Sequence, residues 1–140
     1  MGFASRVVLD TSTLIGAILK PQSIPAQALN LATEYAEILV SDETLAELAQ
    51  VIERDYLDRY RSPAERQTFY RTYAEVALLV AVSKPVVACR DPKYEKFLSV
   101  AVAGGSSLVV SSDRDLLSMQ KFGDIPILSA RAFVELCQIP

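Results

Sequence analysis

Short runs of apolar residues alternate along the chain with longer segments in which apolar positions recur every three or four residues. The runs cover residues 7–9, 37–40, 107–111 and 125–128, and we expect them to form strands. Unbroken apolar runs are typical of a parallel sheet that is covered on both faces. The segments between them predict helices that cross over from strand to strand. The pattern therefore predicts a three-layer α/β/α sandwich with a central parallel sheet.

The helical segments begin and end at recognisable residues. The predicted helices cover residues 12–19, 24–35, 41–54, 62–81, 91–103, 116–120 and 129–136, with a further short strand at 86–88. Ser62, Pro63 and Glu65 form a favourable helix start with capping-box spacing. We expect residues 54–81 to form a helical hairpin that projects from the sheet. Because the chain shows no repeat and no linker, we expect residues 1–140 to form a single domain.

Composition narrows the class of protein. The chain has 140 residues, of which 51% are hydrophobic, and a net charge of -3. It is long enough to bury a core, and it has no global positive field that would attract nucleic acid. No apolar run approaches the roughly 20 residues of a membrane span, and residues 1–6 lack a signal-peptide core. We therefore expect no membrane contact, a cytoplasmic location, and reduced, buried thiols at Cys89 and Cys137.

The chain contains no histidine. This absence excludes nucleophiles that are activated by histidine and zinc sites with histidine ligands. Any hydrolytic chemistry would have to use carboxylates, hydroxyl groups, cations and metal ions.

Several carboxylates occur at positions where ligands bind in parallel sheets. Asp10 follows the first predicted strand and Asp113 follows the strand at 107–111, so both should emerge at the same sheet edge. Glu47 lies on the helix after the second strand. Asp91 and Glu95 are four residues apart at the start of a later helix and can share one face.

Crowded carboxylates raise one another's pKa unless a cation neutralises them. Oxygen ligands alone select a hard ion such as Mg²⁺ or Mn²⁺, and such an ion suits phosphodiester hydrolysis. Each acid also has a simpler interpretation. Asp10, Asp91 and Asp113 can be helix caps, Glu47 and Glu95 can be solvated charges, and Asp115 can bond the backbone of its own turn.

Residues 54–71 combine basic and aromatic side chains. The basic ones are Arg54, Arg59, Arg61, Arg66 and Arg71, and the aromatic ones are Tyr56, Tyr60, Phe69 and Tyr70. Such a stretch can bind a nucleic-acid backbone and stack on bases. It can equally be a solvated helix pair with aromatic core contacts, because Asp55, Asp58 and Glu65 dilute the positive charge.

Four motifs occur in order along the chain. They are Val7-Val8-Leu9-Asp10-Thr11-Ser12, Thr44-Leu45-Ala46-Glu47-Leu48, Cys89-Arg90-Asp91-Pro92-Lys93 with Lys96-Phe97-Leu98, and Val110-Ser111-Ser112-Asp113-Arg114-Asp115-Leu116-Leu117. In these motifs, over nearly its whole length, the chain resembles the PIN domain, and specifically the toxin-like (VapC-like) PIN proteins of prokaryotic toxin–antitoxin systems.

This resemblance implies a fold of the PIN-like, 5′-nuclease-like type, RNA cleavage that depends on Mg²⁺ or Mn²⁺, and a homodimer that a small antitoxin inhibits. It implies that Asp10, Glu47 and Asp113 hold the metal and orient the attacking water. The acid of the third motif would be Asp91 or Glu95. Supporting roles are expected for Thr11, Ser12, Ser112 and Asp115, and RNA contacts for Arg54, Arg59 and Arg61.

The third motif departs from the family pattern. An acid usually follows Asp-Pro-Lys, whereas this chain has Tyr94, which supplies no carboxylate at neutral pH. The alternative to a nuclease is therefore a catalytically weakened PIN-like module that binds RNA or a protein partner. A phosphatase with a nucleophilic Asp10 is a third hypothesis, which Ser12 disfavours because that chemistry usually has an acid two residues after the nucleophile.

Overall fold

The computed structural model describes residues 6–87 and 91–138. Within them the strands are β1 (Arg6–Leu9), β2 (Glu37–Val40), β3 (Leu78–Leu79), β4 (Leu108–Val110), β5 (Lys121–Phe122) and β6 (Ile125–Leu128). They form one sheet in the order β3-β2-β1-β4-β6-β5. The neighbours pair in parallel, except that β5 pairs with β6 antiparallel through a tight turn. The predicted α/β/α fold with a central parallel sheet is confirmed, and the antiparallel β5 makes the sheet mostly parallel.

Helices cover both faces of this sheet. They are α1 (Thr11–Leu19), α2 (Ile24–Tyr35), α3 (Asp42–Val51), α4 (Pro63–Val76), α5 (Glu95–Ala103), α6 (Arg114–Ser118) and α7 (Ala130–Cys137), with 3-10 helices at Asp55–Arg59 and Pro92–Tyr94. Serine hydroxyl groups cap four of the helices by accepting backbone N–H groups, as sequence capping signals predict. The capping box between Ser62 and Glu65 is formed at the start of α4.

The core lies in two layers, one on each face of the sheet. Val7 and Leu9 of β1 pack with residues from α1, α2, α3, α4 and α7, whereas Val8 packs with residues from α5 and α6. This division follows from the two-residue period of a strand, which points successive side chains to opposite faces. Apolar strands without polar alternation are therefore buried on both sides, as predicted.

Some predicted boundaries are wrong. The helix predicted to reach residue 81 ends at Val76, and residues 78–79 pair with β2 as an edge strand. The first arm of the predicted hairpin is only the short 3-10 helix Asp55–Arg59. Residues 86 and 87 form no strand, and Ala88 lies outside the described residues. The strand β5 was not predicted, because two residues carry too little periodic signal.

Two arginines of the basic stretch join neighbouring helices on one face of the sheet. The Arg66 side chain is almost completely buried, and its guanidinium donates to the carbonyls of Ile52 and Arg61 and to the Asp58 carboxylate. The Arg61 guanidinium donates to the Ile18 carbonyl at 3.1 Å. These contacts join the end of α3 to α4 and the end of α1 to the segment that precedes α4, so both side chains have structural roles.

The Cys137 thiol is free and buried, as predicted, and Cys89 lies outside the described residues. Within residues 6–87 and 91–138, no helix combines the length and apolar character that crossing a bilayer requires.

Candidate functional site

The ends of β1 and β4 lie side by side at the carboxyl edge of the sheet. Leu9 pairs with Val110, and the Asp10 N–H donates to the Val110 carbonyl at 3.0 Å. Each strand is followed by an aspartate that caps the next helix, Asp10 for α1 and Asp113 for α6. The two acids are therefore carried by neighbouring strand ends, as the parallel pattern predicts.

Asp10 is a buried carboxylate in a hydroxyl-rich environment, with only 3% of its surface exposed. It accepts hydrogen bonds from the Ser111 hydroxyl, from the Ser12 hydroxyl at 3.0 Å and from the Thr13 N–H at 3.0 Å. Burial raises the pKa of the Asp10 carboxyl above its ordinary value, and these hydrogen bonds only partly oppose the rise. A nearby cation would therefore stabilise the ionised form.

Glu47 projects from α3 and is held by groups from two other elements. The Thr11 hydroxyl donates to one oxygen, and the Lys96 ammonium donates to the other at 2.9 Å. Both members of the ion pair are partly buried, with 20% of the Lys96 side chain and 26% of the Glu47 side chain exposed. The charge of Glu47 is thus neutralised by a cation from α5.

Asp113 lies beside Tyr94 and is partly exposed. The Tyr94 hydroxyl is buried and makes no well-formed hydrogen bond within the described residues, but it is close enough to act on the carboxylate. Interaction with this hydroxyl lowers the pKa of Asp113, with a smaller contribution from the Lys93 ammonium. Burial, assisted by the Asp113 charge, raises the pKa of Tyr94 to about 12. Tyr94 therefore stays neutral and supplies a hydroxyl group.

These acids line one cleft. Its volume is about 450 Å³, and its lining contains Asp10, Glu47 and Asp113 together with Thr11, Ser12, Ile15, Val51, Arg54, Tyr56, Lys93, Tyr94 and Phe97. Three segments of the chain that are distant in sequence thus present acids to a common space. The cleft also has basic and aromatic walls, which gives it groups for both phosphate and base chemistry.

Neither proposed acid of the third motif is among the described residues that line this cleft. Asp91 caps the 3-10 helix Pro92–Tyr94 by accepting the Lys93 N–H, and it pairs with the Lys93 ammonium at 3.5 Å. Glu95 lines a separate cavity of about 330 Å³ between α3, residues 80–87 and α5. The side chain from this motif that does line the cleft is Tyr94.

Two of the four residues predicted to have supporting roles line the cleft. Thr11 and Ser12 line the cleft, and the Ser112 hydroxyl donates to the Ser12 hydroxyl at 2.8 Å, which extends the chain of hydroxyl groups to Asp10. Asp115 is exposed in the first turn of α6, where its N–H donates to Asp113 at 2.9 Å.

The three arginines predicted to bind RNA lie in different surroundings. Arg54 is part of the cleft wall. Arg61 is bound to the Ile18 carbonyl and to Glu65, and Arg59 lies against the Tyr60 ring. The structure therefore brings one of the three to the acids.

Sequence reasoning missed two residues that contact the site acids. The buried Ser111 hydroxyl donates to Asp10 and accepts the Asp113 N–H at 2.9 Å, so it bridges both strand ends. Aligning Leu9 with Val110 would have placed Ser111 next to Asp10 and identified it. Lys96 gave no comparable signal, because its partner Glu47 is 49 residues away along the chain.

The chemistry of these donors suits a hard divalent cation, because all three acids offer oxygen atoms. No three acidic or cysteine side chains within residues 6–87 and 91–138 form a ready metal-binding cluster. Mg²⁺, however, usually keeps several waters and takes only one or two carboxylates with substrate phosphates. The buried Asp10, whose charge no described cation neutralises directly, fits such a partly hydrated ion.

Comparison with known proteins agrees with the fold. A family model described as "PIN domain" matches residues 6–115. A protein of Methanocaldococcus jannaschii, described as uncharacterized protein MJ1680, is 26% identical over 117 residues, which cover 82% of this chain and 75% of that protein. No activity follows from this relative's description.

Two solved structures share the fold. One is VapBC2 from Rickettsia felis bound to a DNA fragment from its promoter, with a TM-score of 0.61, 14% identity, and coverage of 89% of this chain and 98% of that chain. The other is DNA-bound VapBC from Salmonella typhimurium, with a TM-score of 0.59, 17% identity, and coverage of 90% and 98%. At such identities the likeness shows the fold alone. Because the family model spans most of the sequence, this chain belongs to the PIN domain family.

Proposed function

We propose that this PIN domain is an Mg²⁺- or Mn²⁺-dependent endoribonuclease and the toxin component of a toxin–antitoxin pair. The observation that carries the proposal is the common cleft of Asp10, Glu47 and Asp113 at the carboxyl edge of the sheet. Membership of the PIN domain family and the fold shared with chains of two VapBC complexes support it. The proposal includes a single domain, a cytoplasmic location, a homodimer and a cognate antitoxin.

Asp10, Glu47 and Asp113 would hold the divalent ion. When bound, such an ion supplies the Lewis acidity that phosphodiester hydrolysis requires. The protein's own contribution is positioning. Ser111 and Ser12 fix the Asp10 carboxylate through hydrogen bonds, so its oxygens need little rearrangement to act as ligands.

The third-motif acids take no part in the proposed cleft. Asp91 is engaged as a helix cap, and Glu95 lines a different cavity. Tyr94 contributes a neutral hydroxyl beside Asp113 instead of a carboxylate. The proposed site thus has one acid fewer than the family pattern implies.

A second candidate is a PIN-like module that binds RNA without cleaving it. The Lys96 ammonium on Glu47 favours this candidate, because it occupies an acid that a metal ion would need. The two candidates differ in metal binding. The nuclease requires saturable Mn²⁺ binding, whereas the binding module does not.

The deciding experiment measures Mn²⁺ binding by titration calorimetry and RNA cleavage on the same protein preparations. Wild type should bind Mn²⁺ and cleave RNA, and Asp10→Asn and Asp113→Asn should each lose cleavage. Asp124→Asn, which changes an exposed acid away from the cleft lining, should behave as wild type. Mn²⁺-independent RNA binding without cleavage would favour the second candidate and overturn the first.

A further inference from the structure

Two arginine–tyrosine pairs lie close together in sequence but face different surroundings. Arg54 and Tyr56 line the cleft that contains the site acids. Arg59 and Tyr60 are not part of that lining, and the Arg59 guanidinium lies 5.6 Å from the centre of the Tyr60 ring. The first pair is therefore placed to contact whatever enters the cleft, and the second pair is a natural comparison for it.

Tyr56 is 57% exposed and lines the cleft. A single exposed aromatic residue needs no special explanation, and Tyr60, which is 50% exposed, illustrates this. Tyr56 differs because it lines the same cleft as the three acids, together with the apolar side chains of Val51 and Phe97. An aromatic face in that position offers a stacking surface next to the proposed reaction centre.

Arg54 supplies a positive charge that the rest of the described chain does not use. Within residues 6–87 and 91–138, its guanidinium makes no hydrogen bond and no ion pair. Arg61 and Arg66, by contrast, donate to backbone carbonyls. A guanidinium that has no partner among the described residues, in a cleft that also holds three acids, suits an incoming phosphate, with which it can form bidentate hydrogen bonds.

We propose that Arg54 and Tyr56 form a nucleotide subsite for an unpaired RNA strand, in which Arg54 binds a backbone phosphate and Tyr56 stacks on a base. The inference rests on the proposed ribonuclease function and adds to it the two residues that contact the RNA strand. A base within a duplex is already stacked on its neighbours, so only an unpaired base can use the Tyr56 ring. Every base has an aromatic face, so the subsite selects single strands rather than one sequence.

The test measures RNA binding by fluorescence anisotropy. The full chain with Asp10→Asn, which blocks cleavage under the proposed function, is titrated into a labelled single-stranded oligoribonucleotide. Adding Tyr56→Ala or Tyr56→Leu should weaken binding at least about fivefold, since base stacking on an aromatic ring carries that much affinity or more. Tyr56→Phe keeps the ring and should bind within about twofold of the parent.

The second pair supplies matched controls. Tyr60→Ala and Arg59→Ala remove a similarly exposed aromatic ring and a group of the same charge outside the cleft, and both should leave binding within about twofold of the parent. Arg54→Ala should make the slope of log affinity against log salt concentration shallower by about 0.7, the value for one phosphate contact on a single strand. A fully paired duplex of the same sequence should bind more weakly and should not respond to Tyr56→Ala.

The outcomes separate this inference from the proposed function. If wild type cleaves RNA but Tyr56→Ala weakens binding no more than Tyr60→Ala, the subsite is overturned and the nuclease stands. Equal affinity for the duplex also overturns the subsite. If wild type neither binds nor cleaves RNA, both proposals fall. Thermal unfolding of each variant verifies that the chain stays folded.

Discussion

The ion pair between Lys96 and Glu47 leads to a quantitative prediction. The ammonium and carboxylate are 2.9 Å apart, with 20% and 26% of the two side chains exposed. At this distance Coulomb's law gives about 1.4 kcal/mol even with the dielectric constant of water, ~80. Exposed pairs contribute about 0.2–1 kcal/mol after side-chain ordering, and hydrogen bonds to charged groups about 1.5–3 kcal/mol. We therefore expect a coupling of about 1–2 kcal/mol for this partly buried pair.

The assay is a double-mutant cycle of Glu47→Gln and Lys96→Met, with the free energy of unfolding measured in urea and EDTA. The control is the Arg6–Glu37 pair, which is 3.3 Å apart and has 43% and 57% of its side chains exposed. Its coupling should not exceed about 0.5 kcal/mol. A Lys96–Glu47 coupling as small as that of the control pair would refute the reasoning.

The same cycle tests competition with a metal ion. If Mn²⁺ takes Glu47 as a ligand, saturating Mn²⁺ should reduce the coupling between Lys96 and Glu47. Lys96→Met should also bind Mn²⁺ more tightly than wild type, because a positive charge leaves the acid cluster. Unchanged coupling together with weaker Mn²⁺ binding would show that Lys96 does not compete with the metal.

Three further predictions concern single residues. Burial raises the pKa of the Asp10 carboxyl above 3.8. Its ionisation therefore lowers the free energy of unfolding as the pH rises from 3.8 through the raised pKa. Asp10→Asn keeps a capping side chain and, in EDTA, should therefore be more stable than wild type at neutral pH but not at acid pH. Equal urea midpoints for wild type and Asp10→Asn at both pH values would contradict this prediction. Arg66→Met leaves buried carbonyls without a donor and should lower the free energy of unfolding by about 3 kcal/mol, whereas the exposed control Arg59→Met should have almost no effect. Tyr94→Phe removes the hydroxyl that lowers the pKa of Asp113, so NMR titration of that carboxyl should show a higher pKa, and an unchanged value would assign the effect to other groups.

Local patterns were sufficient to predict most of the fold. Apolar runs identified four of the strands, and serine caps marked several helix starts, because both signals depend on neighbours in sequence. The strand-end rule also anticipated that Asp10 and Asp113 would meet at one edge. The sequence predicts too long a helix α4, because Leu78 and Leu79 suit a helix as well as a strand. Only pairing with β2 decides between the two.

What the sequence by itself determined was a set of acids on a parallel α/β scaffold. Apolar periodicity is a property of short segments, and the helices predicted between the strands are the crossovers that parallel strands need. What only the tertiary structure decided was the set of partners for each acid. Ser111 reaches Asp10 across 101 positions of sequence, and Lys96 reaches Glu47 across 49. Such pairings depend on sheet register and on how helices pack, which no short segment encodes. For the same reason, only the tertiary structure shows that Arg54 lines the cleft and that Arg61 donates a hydrogen bond to a backbone carbonyl.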